Sequence, residues 1–320
     1  MDGLLGFPSL HNRPRKKDAM RILIGLSVSL VLLTVVGFGI AAEPDPGSQS
    51  DFFVRGVLAS ERGEVDRAIE LFEAAVWLEP NHAEAHYNLG LLLGERERWD
   101  DAMPMLAKAS ELHPKDHEPH LAMGIVASQK GDDELAIHEF IETLKRQPDL
   151  SEAHVRLGLI YQKRKMDDMA IGQYRATIQT DPTNLTARFA LGVLADKKGE
   201  IDEAIRQFRE VTTIDPRNAE GHYNLGLAYG RKSMVGLADL PTPDLTDYSA
   251  LAMESFQKVL SWNPNHSEAR YNLAVAYLYQ GAGDVKRAKE QLDILAGIDP
   301  ALAEKLADKI ESVTQKEGAH

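Results

Sequence analysis

Apolar residues between positions 49 and 302 fall at helical spacing in pairs of short runs, each pair split by a polar break and closed by a proline. Residues 83–116, AEAHYNLGLLLGERERWDDAMPMLAKASELHPKD, show this in full: the break lies at Glu95–Arg98 and Pro114 ends the unit. The period is 34 residues: Gly56, Gly90, Gly124, Gly158, Gly192 and Gly226 mark the first runs, Ala68, Ala102, Ala136, Ala170 and Ala204 the second, and Pro80, Pro114, Pro148, Pro182 and Pro216 the closing turns. A fixed period of this size predicts stacked helix pairs rather than a domain around one core. Glycine within a helix costs about 1 kcal/mol against alanine. The glycine column therefore predicts close helix approach, with Phe72, Leu106, Phe140, Tyr174, Phe208 and Phe256 filling the space beside the small residues.

A different pattern precedes the repeats. Ile22–Ala42 carries no charge over 21 residues, which as a helix spans about 31 Å, the thickness of a bilayer's hydrocarbon core. Arg13, Arg15, Lys16, Lys17 and Arg21 precede it and Glu43 and Asp45 follow, so the positive-inside rule keeps residues 1–21 cytoplasmic and sends the repeats across, into the periplasm of a bacterium. The alternative is a cleaved signal peptide, since small residues end the run at Gly39–Ala42. Both readings export the repeats. The expected organisation is a basic segment 1–21, a membrane helix 22–42, a linker 43–48, repeats over 49–302 and a capping helix and tail over 303–320.

Charge follows the same division. Residues 1–21 carry a net charge of +3 and the remainder −16. An acidic exported body speaks against nucleic acid and against lying on anionic lipid, and it suits solubility or a basic partner segment. The absence of cysteine excludes disulfides, thiolate metal sites and a cysteine nucleophile.

The columns resemble the tetratricopeptide repeat: HYNLGLLL (86–93) with Ala102 and Pro114, and HYNLGLAY (222–229) with Ala252, Phe256 and Pro264. Units are expected at 49–82, 83–116, 117–150, 151–184, 185–218, 219–266 and 267–302. The resemblance implies an all-α fold, a right-handed α-solenoid of about seven helix pairs. The sixth unit is longer by fourteen residues, an insertion at about 233–250 where Pro241 and Pro243 stop a helix. Leu302, Leu306, Ile310 and Val313 give 301–315 the apolar face of a terminal cap, whereas the first unit, with Phe52 and Phe53, has none before it and is a candidate contact for another protein, the membrane or a second copy.

The family also implies a concave face lined by first helices, where a partner's peptide or helix sits. Carried onto this chain, one row is Phe53, Tyr87, Leu121, Val155, Phe189, Tyr223 and Tyr271. A second is Val57, Leu91, Ile125, Leu159, Val193, Leu227 and Val275, with Asn88, Arg156, Asn224 and Asn272 as polar positions. The competing expectation is that these stripes are packing between adjacent first helices. A further row, Glu61, Glu95, Gln129, Lys163, Lys197 and Arg231, runs from acidic to basic and would set a directional field if it faced the groove.

Histidines tempt a metal reading. His82 and His86 stand at i and i+4, but HAEAH lacks the order of a zincin motif. His86, His120, His154 and His222 share one repeat column, which accounts for them as packing, so no metal or other cofactor is expected. With no nucleophile, base pair or phosphate loop assembled, the chain is read as a protein-binding scaffold or, alternatively, a periplasmic chaperone for apolar segments, with an enzyme a distant third.

Overall fold

The computed structural model describes residues 49–239, 245–279 and 284–317. Among them are fifteen helices and no strand. Six helix pairs follow the expected units: α1 (Gln49–Glu61) with α2 (Val65–Leu78), α3 (Ala83–Glu95) with α4 (Trp99–Leu112), α5 (Glu118–Lys130) with α6 (Asp133–Arg146), α9 (Leu185–Lys197) with α10 (Ile201–Ile214), α11 (Ala219–Asp239) with α12 (Leu245–Trp262), and α13 (Ser267–Tyr279) with α14 (Val285–Ala296). The fourth unit supplies α7 (Ser151–Lys163) and α8 (Asp167–Thr180), and α15 (Pro300–Glu317) ends the series. The chain divides into two compact units, one ending at Met166 and the other starting at Asp167, so α1–α7 belong to the first and α8–α15 to the second.

In each unit every helix packs against its sequence neighbours. The glycine column sets the distance between paired helices. A β-carbon at Gly56, Gly124, Gly192 or Gly226 would stand 2.6–2.8 Å from the ring of Phe72, Phe140, Phe208 or Phe256, and at Gly90 2.6 Å from Leu106. The alanine column is fully buried beside these rings. Small against large thus closes these five pairs, as the sequence pattern predicts.

The turn inside a pair repeats with the same period. Gly63, Glu97, Gly131, Lys165 and Gly199 all have left-handed φ, between 59° and 93°. The amide one residue later reaches back five positions, from Glu64 to Ala59, Arg98 to Leu93, Asp132 to Ala127, Met166 to Tyr161 and Glu200 to Ala195, each at 2.9 Å. This is the Schellman closure of a helix, in which glycine is at ease and a residue with a β-carbon is strained. Replacing Glu97 or Lys165 by glycine is therefore expected to raise stability by about 0.5–1 kcal/mol, read as a higher urea midpoint.

Two expectations meet the structure differently. The insertion of the sixth unit mostly lengthens its helices: Ser233–Asp239 continue α11 and Leu245–Ala250 begin α12, with 240–244, including Pro241 and Pro243, outside the described residues. Tyr248 packs near Tyr229, the rings 6.0 Å apart. The segment 22–42, expected to cross a membrane, lies outside the described residues, and among the described residues no helix is long and apolar enough to cross a membrane. In α15, Leu306 and Ile310 of the expected capping face are buried with Ala303 where the helix meets α13 and α14, while Leu302 and Val313 are half-buried.

Candidate protein-binding face

First helices meet one another within each unit, α3 with α5 and α9 and α13 with α11. In the first unit the two rows are largely filled by this packing. Leu91 and Ile125 are at most 1% exposed, and Leu121, Phe53, Val57 and Asn88 are buried with them. These positions hold the stack together, and the groove reading of Asn88, Leu91, Leu121 and Ile125 gives way to packing, because these side chains are covered by neighbouring helices. Tyr87, Val155 and Arg156 are half-buried, and Leu159, on the last helix of the unit, is 46% exposed.

In the second unit the same columns are open. Phe189, Val193, Tyr223, Leu227, Tyr271 and Val275 are half-buried side chains that lean on the core with one side and leave the other free. Aromatic contacts fix the rings: Phe189 lies 5.6 Å from Phe208 edge-on, and Tyr223 stacks 5.1 Å from His266. Asn272 donates to the Tyr223 hydroxyl at 3.2 Å, joining α11 to α13 across the face.

The asparagines are held in one way. Asn88, Asn224 and Asn272 each donate from Nδ2 to the carbonyl four residues earlier, at Glu84, Glu220 and Glu268. Arg156 is likewise turned along its own helix, onto Glu152 at 2.6 Å. A second acidic column thereby comes into view that the sequence reading missed: Glu84, Glu118, Glu152, Glu220 and Glu268 stand three residues before the aromatic row. Burial, followed by Glu118 and Glu152, pushes the Tyr87 phenol above its ordinary pKa, and burial with Glu268 does the same to Tyr223. Burial also raises the Glu220 carboxyl. The face is apolar with an acidic flank. The recurrence of Glu84, Glu118, Glu152 and Glu220 at multiples of 34 residues was the signal available in the sequence.

The expected charge gradient dissolves into ion pairs between successive repeats. Arg96 meets Asp66, Lys130 meets Asp100, Lys163 meets Asp133 and Arg164 meets Glu134, and in the second unit Lys197 meets Asp167, Lys198 meets Asp168 and Lys232 meets Asp202. Every pair spans 30 residues, from the start of one second helix to the end of the next first helix. Arg231 pairs with Asp196. Lys163, Lys197 and Arg231 are therefore neutralised by the preceding repeat and set no field along a groove. Being exposed, each pair contributes only about 0–1 kcal/mol, so the ladder sets register more than stability.

The histidine column proves to be a column of donors. His86, His154 and His222 place Nε2 against the carbonyls of Pro80, Pro148 and Pro216 at 2.9–3.2 Å, and Arg188 and Arg270 do the same to Pro182 and Pro264 at 2.6 Å. A carbonyl left free by proline after a helix end is thus satisfied six residues on. His120 departs from this, because Arg146 takes the Pro114 carbonyl. His120 instead accepts from Ser110 at 2.8 Å and donates to Glu139 at 2.7 Å, the carboxylate being able only to accept. That order resembles a hydrolase relay, but acyl transfer needs amide donors aimed at an oxyanion. The amides around Ser110 are engaged within α4. Among the described residues no group of three or more His, Asp or Glu side chains could hold a metal ion.

His222 makes the fold pH-sensitive. Burial holds its imidazole below the ordinary pKa, with Lys258 acting the same way and the Pro216 carbonyl, Glu254 and Asp215 acting against. The unfolded chain, with a histidine pKa of 6.5, then takes the proton first. The stability His222 contributes is complete above that value and declines as the pH falls below it, towards the folded pKa. Urea midpoints measured between about pH 7 and pH 5 are expected to fall, and His222→Phe to fall less steeply, although it starts lower for want of the Pro216 bond.

Stacked two-helix units with a small-residue column, a left-handed turn and a terminal cap define an α-helical repeat protein. Family models described as tetratricopeptide repeat match residues 59–123 and 255–290, and one described as TPR repeat matches 197–233, so these segments match the tetratricopeptide repeat pattern. Among solved structures, the C-terminal part of a TPR repeat-containing protein from Cytophaga hutchinsonii is similar at a TM-score of 0.62 and 18% identity, covering 80% of this chain and 98% of that one. A tetratricopeptide repeat protein from Parabacteroides merdae gives 0.52 and 17%, with coverage of 82% and 98%. YrrB, described as a TPR protein with an unusual peptide-binding site, gives 0.51 and 24%, with coverage of 62% and 95%. No curated protein matches the sequence.

Proposed function

We propose that this protein is a membrane-anchored scaffold whose second unit binds an apolar, basic segment of a partner protein and so assembles an exported or membrane complex. The supporting observation is the open face of α9, α11 and α13, where Phe189, Val193, Tyr223, Leu227, Tyr271 and Val275 keep free apolar surface beside Glu220 and Glu268. Apolar anchors supply affinity and flanking carboxylates select a basic partner and its orientation. The peptide-binding site described for YrrB makes a peptide a reasonable kind of ligand for a fold of this class. The uncharged run 22–42 between basic and acidic flanks supports anchoring, with the repeats on the non-cytoplasmic side, the periplasm if the source is bacterial.

Photoreactive residues at Tyr87, Phe189 and Tyr223 in native membranes test this. One dominant protein captured at Phe189 and Tyr223, and much less at Tyr87, is the expected result. A scatter of unrelated proteins would favour the chaperone reading, and no capture from either position would overturn the assignment of the face.

A further inference from the structure

The first helix pair carries an exposed apolar end that the packing of repeats does not explain. Trp77 is 80% exposed and Leu78 beside it 42%. The positions equivalent to Trp77 in the second to sixth units are Glu111, Lys145, Gln179, Thr213 and Ser261, all polar. Exposed tryptophan is thus confined to the first repeat in this column. Leu58 adds to the same pair: it is 38% exposed, whereas its counterparts Leu92, Val126, Ile160 and Leu194 are at most 5% exposed beneath a preceding pair.

The place of Trp77 along the pair matters most. Phe53 meets Phe72 at 5.7 Å and His82 at 4.6 Å, so the start of α1 lies beside the end of α2. Trp77 and Leu78 stand five and six residues beyond Phe72, about 7.5–9 Å further along the helix. That is the end at which the chain enters from residue 48. The linker 43–48 has six residues and spans at most about 20 Å when extended. Whatever the apolar segment 22–42 inserts into is therefore within reach of Trp77.

We propose that Trp77 and Leu78 dock the first repeat on the interface of the bilayer that holds segment 22–42. An indole has an apolar body and a polar N–H and settles at headgroup depth. The nearest charged side chains in sequence, Glu73 and Glu79, are acidic, as is the body of the protein, which fits a zwitterionic surface better than an anionic one. Docking would hold the repeats at one orientation and height above the membrane. It rests on the anchoring reading given above, and its failure is separable from that one.

The test uses the full chain in zwitterionic vesicles, with Trp77 as the only indole (Trp99→Phe and Trp262→Phe) and, since the chain lacks cysteine, a fluorophore on Leu32→Cys. Lipids brominated near the headgroup or near the chain end serve as quenchers. The expected result is deep quenching at position 32 and blue-shifted Trp77 emission quenched at least twofold more by the shallow bromines, both lessened by replacing half the lipid with an anionic one for Trp77 alone. Deep quenching at position 32 with Trp77 unquenched would overturn docking and leave the anchor standing. A blue shift without quenching that grows with protein density would assign the patch to a second copy, also overturning it. No quenching at position 32 would remove the anchor and docking together.

Discussion

Phe140→Ala is expected to lower stability by roughly 3–5 kcal/mol, the cost of emptying a fully buried aromatic site in a packed interior. Phe140 has no exposed surface and lies over Gly124, where a β-carbon would approach its ring to 2.6 Å. Among the described residues within each unit, helices pack on their neighbours in sequence order, so the loss should be local. Urea unfolding of the full chain gives the magnitude, and hydrogen exchange places it in α4–α7; a loss below about 1 kcal/mol would mean that the repeats do not depend on this contact. Two glycine variants separate packing from helix propensity. Gly172→Ala, with nothing within 4 Å of the new methyl group, should stabilise by up to about 1 kcal/mol. Gly124→Ala gains the same propensity but overpacks against Phe140, a cost of about 1–3 kcal/mol, and should destabilise on balance.

The second large effect is expected in binding. Reversing both Glu220 and Glu268 to lysine should weaken capture of the partner at least tenfold at low salt, equivalent to about 1.4 kcal/mol, because a basic segment then meets like charge. Glu268 is exposed and Glu220 is only partly desolvated, so the unfolding midpoint should move by no more than the equivalent of about 1 kcal/mol. The effect should shrink as salt screens the exposed charges. Leu227→Asp, at the centre of the open apolar face, should weaken binding to a similar degree at every salt concentration, since its loss is desolvation rather than long-range attraction. A partner crosslinked at Tyr223 whose affinity ignores all three substitutions would place the binding surface elsewhere.

Much of the fold can be read along the chain because a repeat writes its own packing rule many times over. The glycine and alanine columns, opposed by Phe72, Phe140 and Phe208, stand in the structure where periodicity puts them, since close approach of two helices needs small residues at a fixed offset. The left-handed turn was half visible: Gly63, Gly131 and Gly199 mark it, while Glu97 and Lys165 conceal it by bearing strain that the Schellman bonds offset. The insertion was misleading in extent, because among the described residues 233–239 and 245–250 are helical.

The candidate face was legible in position but not in depth. Leu91 and Leu227 belong to one column and have the same side chain, yet one is fully buried and the other half open. A column records which way a side chain points from its own helix, whereas exposure depends on how near the next helix comes. The row from Glu61 to Arg231 shows the same limit, for its charges acquire meaning only from partners 30 or 35 residues away that bring Asp133, Asp167 and Asp196 against Lys163, Lys197 and Arg231. The sequence alone determined that helices pair, where they turn and which faces are apolar, because those follow from local periodicity and from glycine and proline. The tertiary structure decided which apolar positions stay free, which charges are matched and why the histidine column exists, because each depends on a distance between segments that no local pattern encodes.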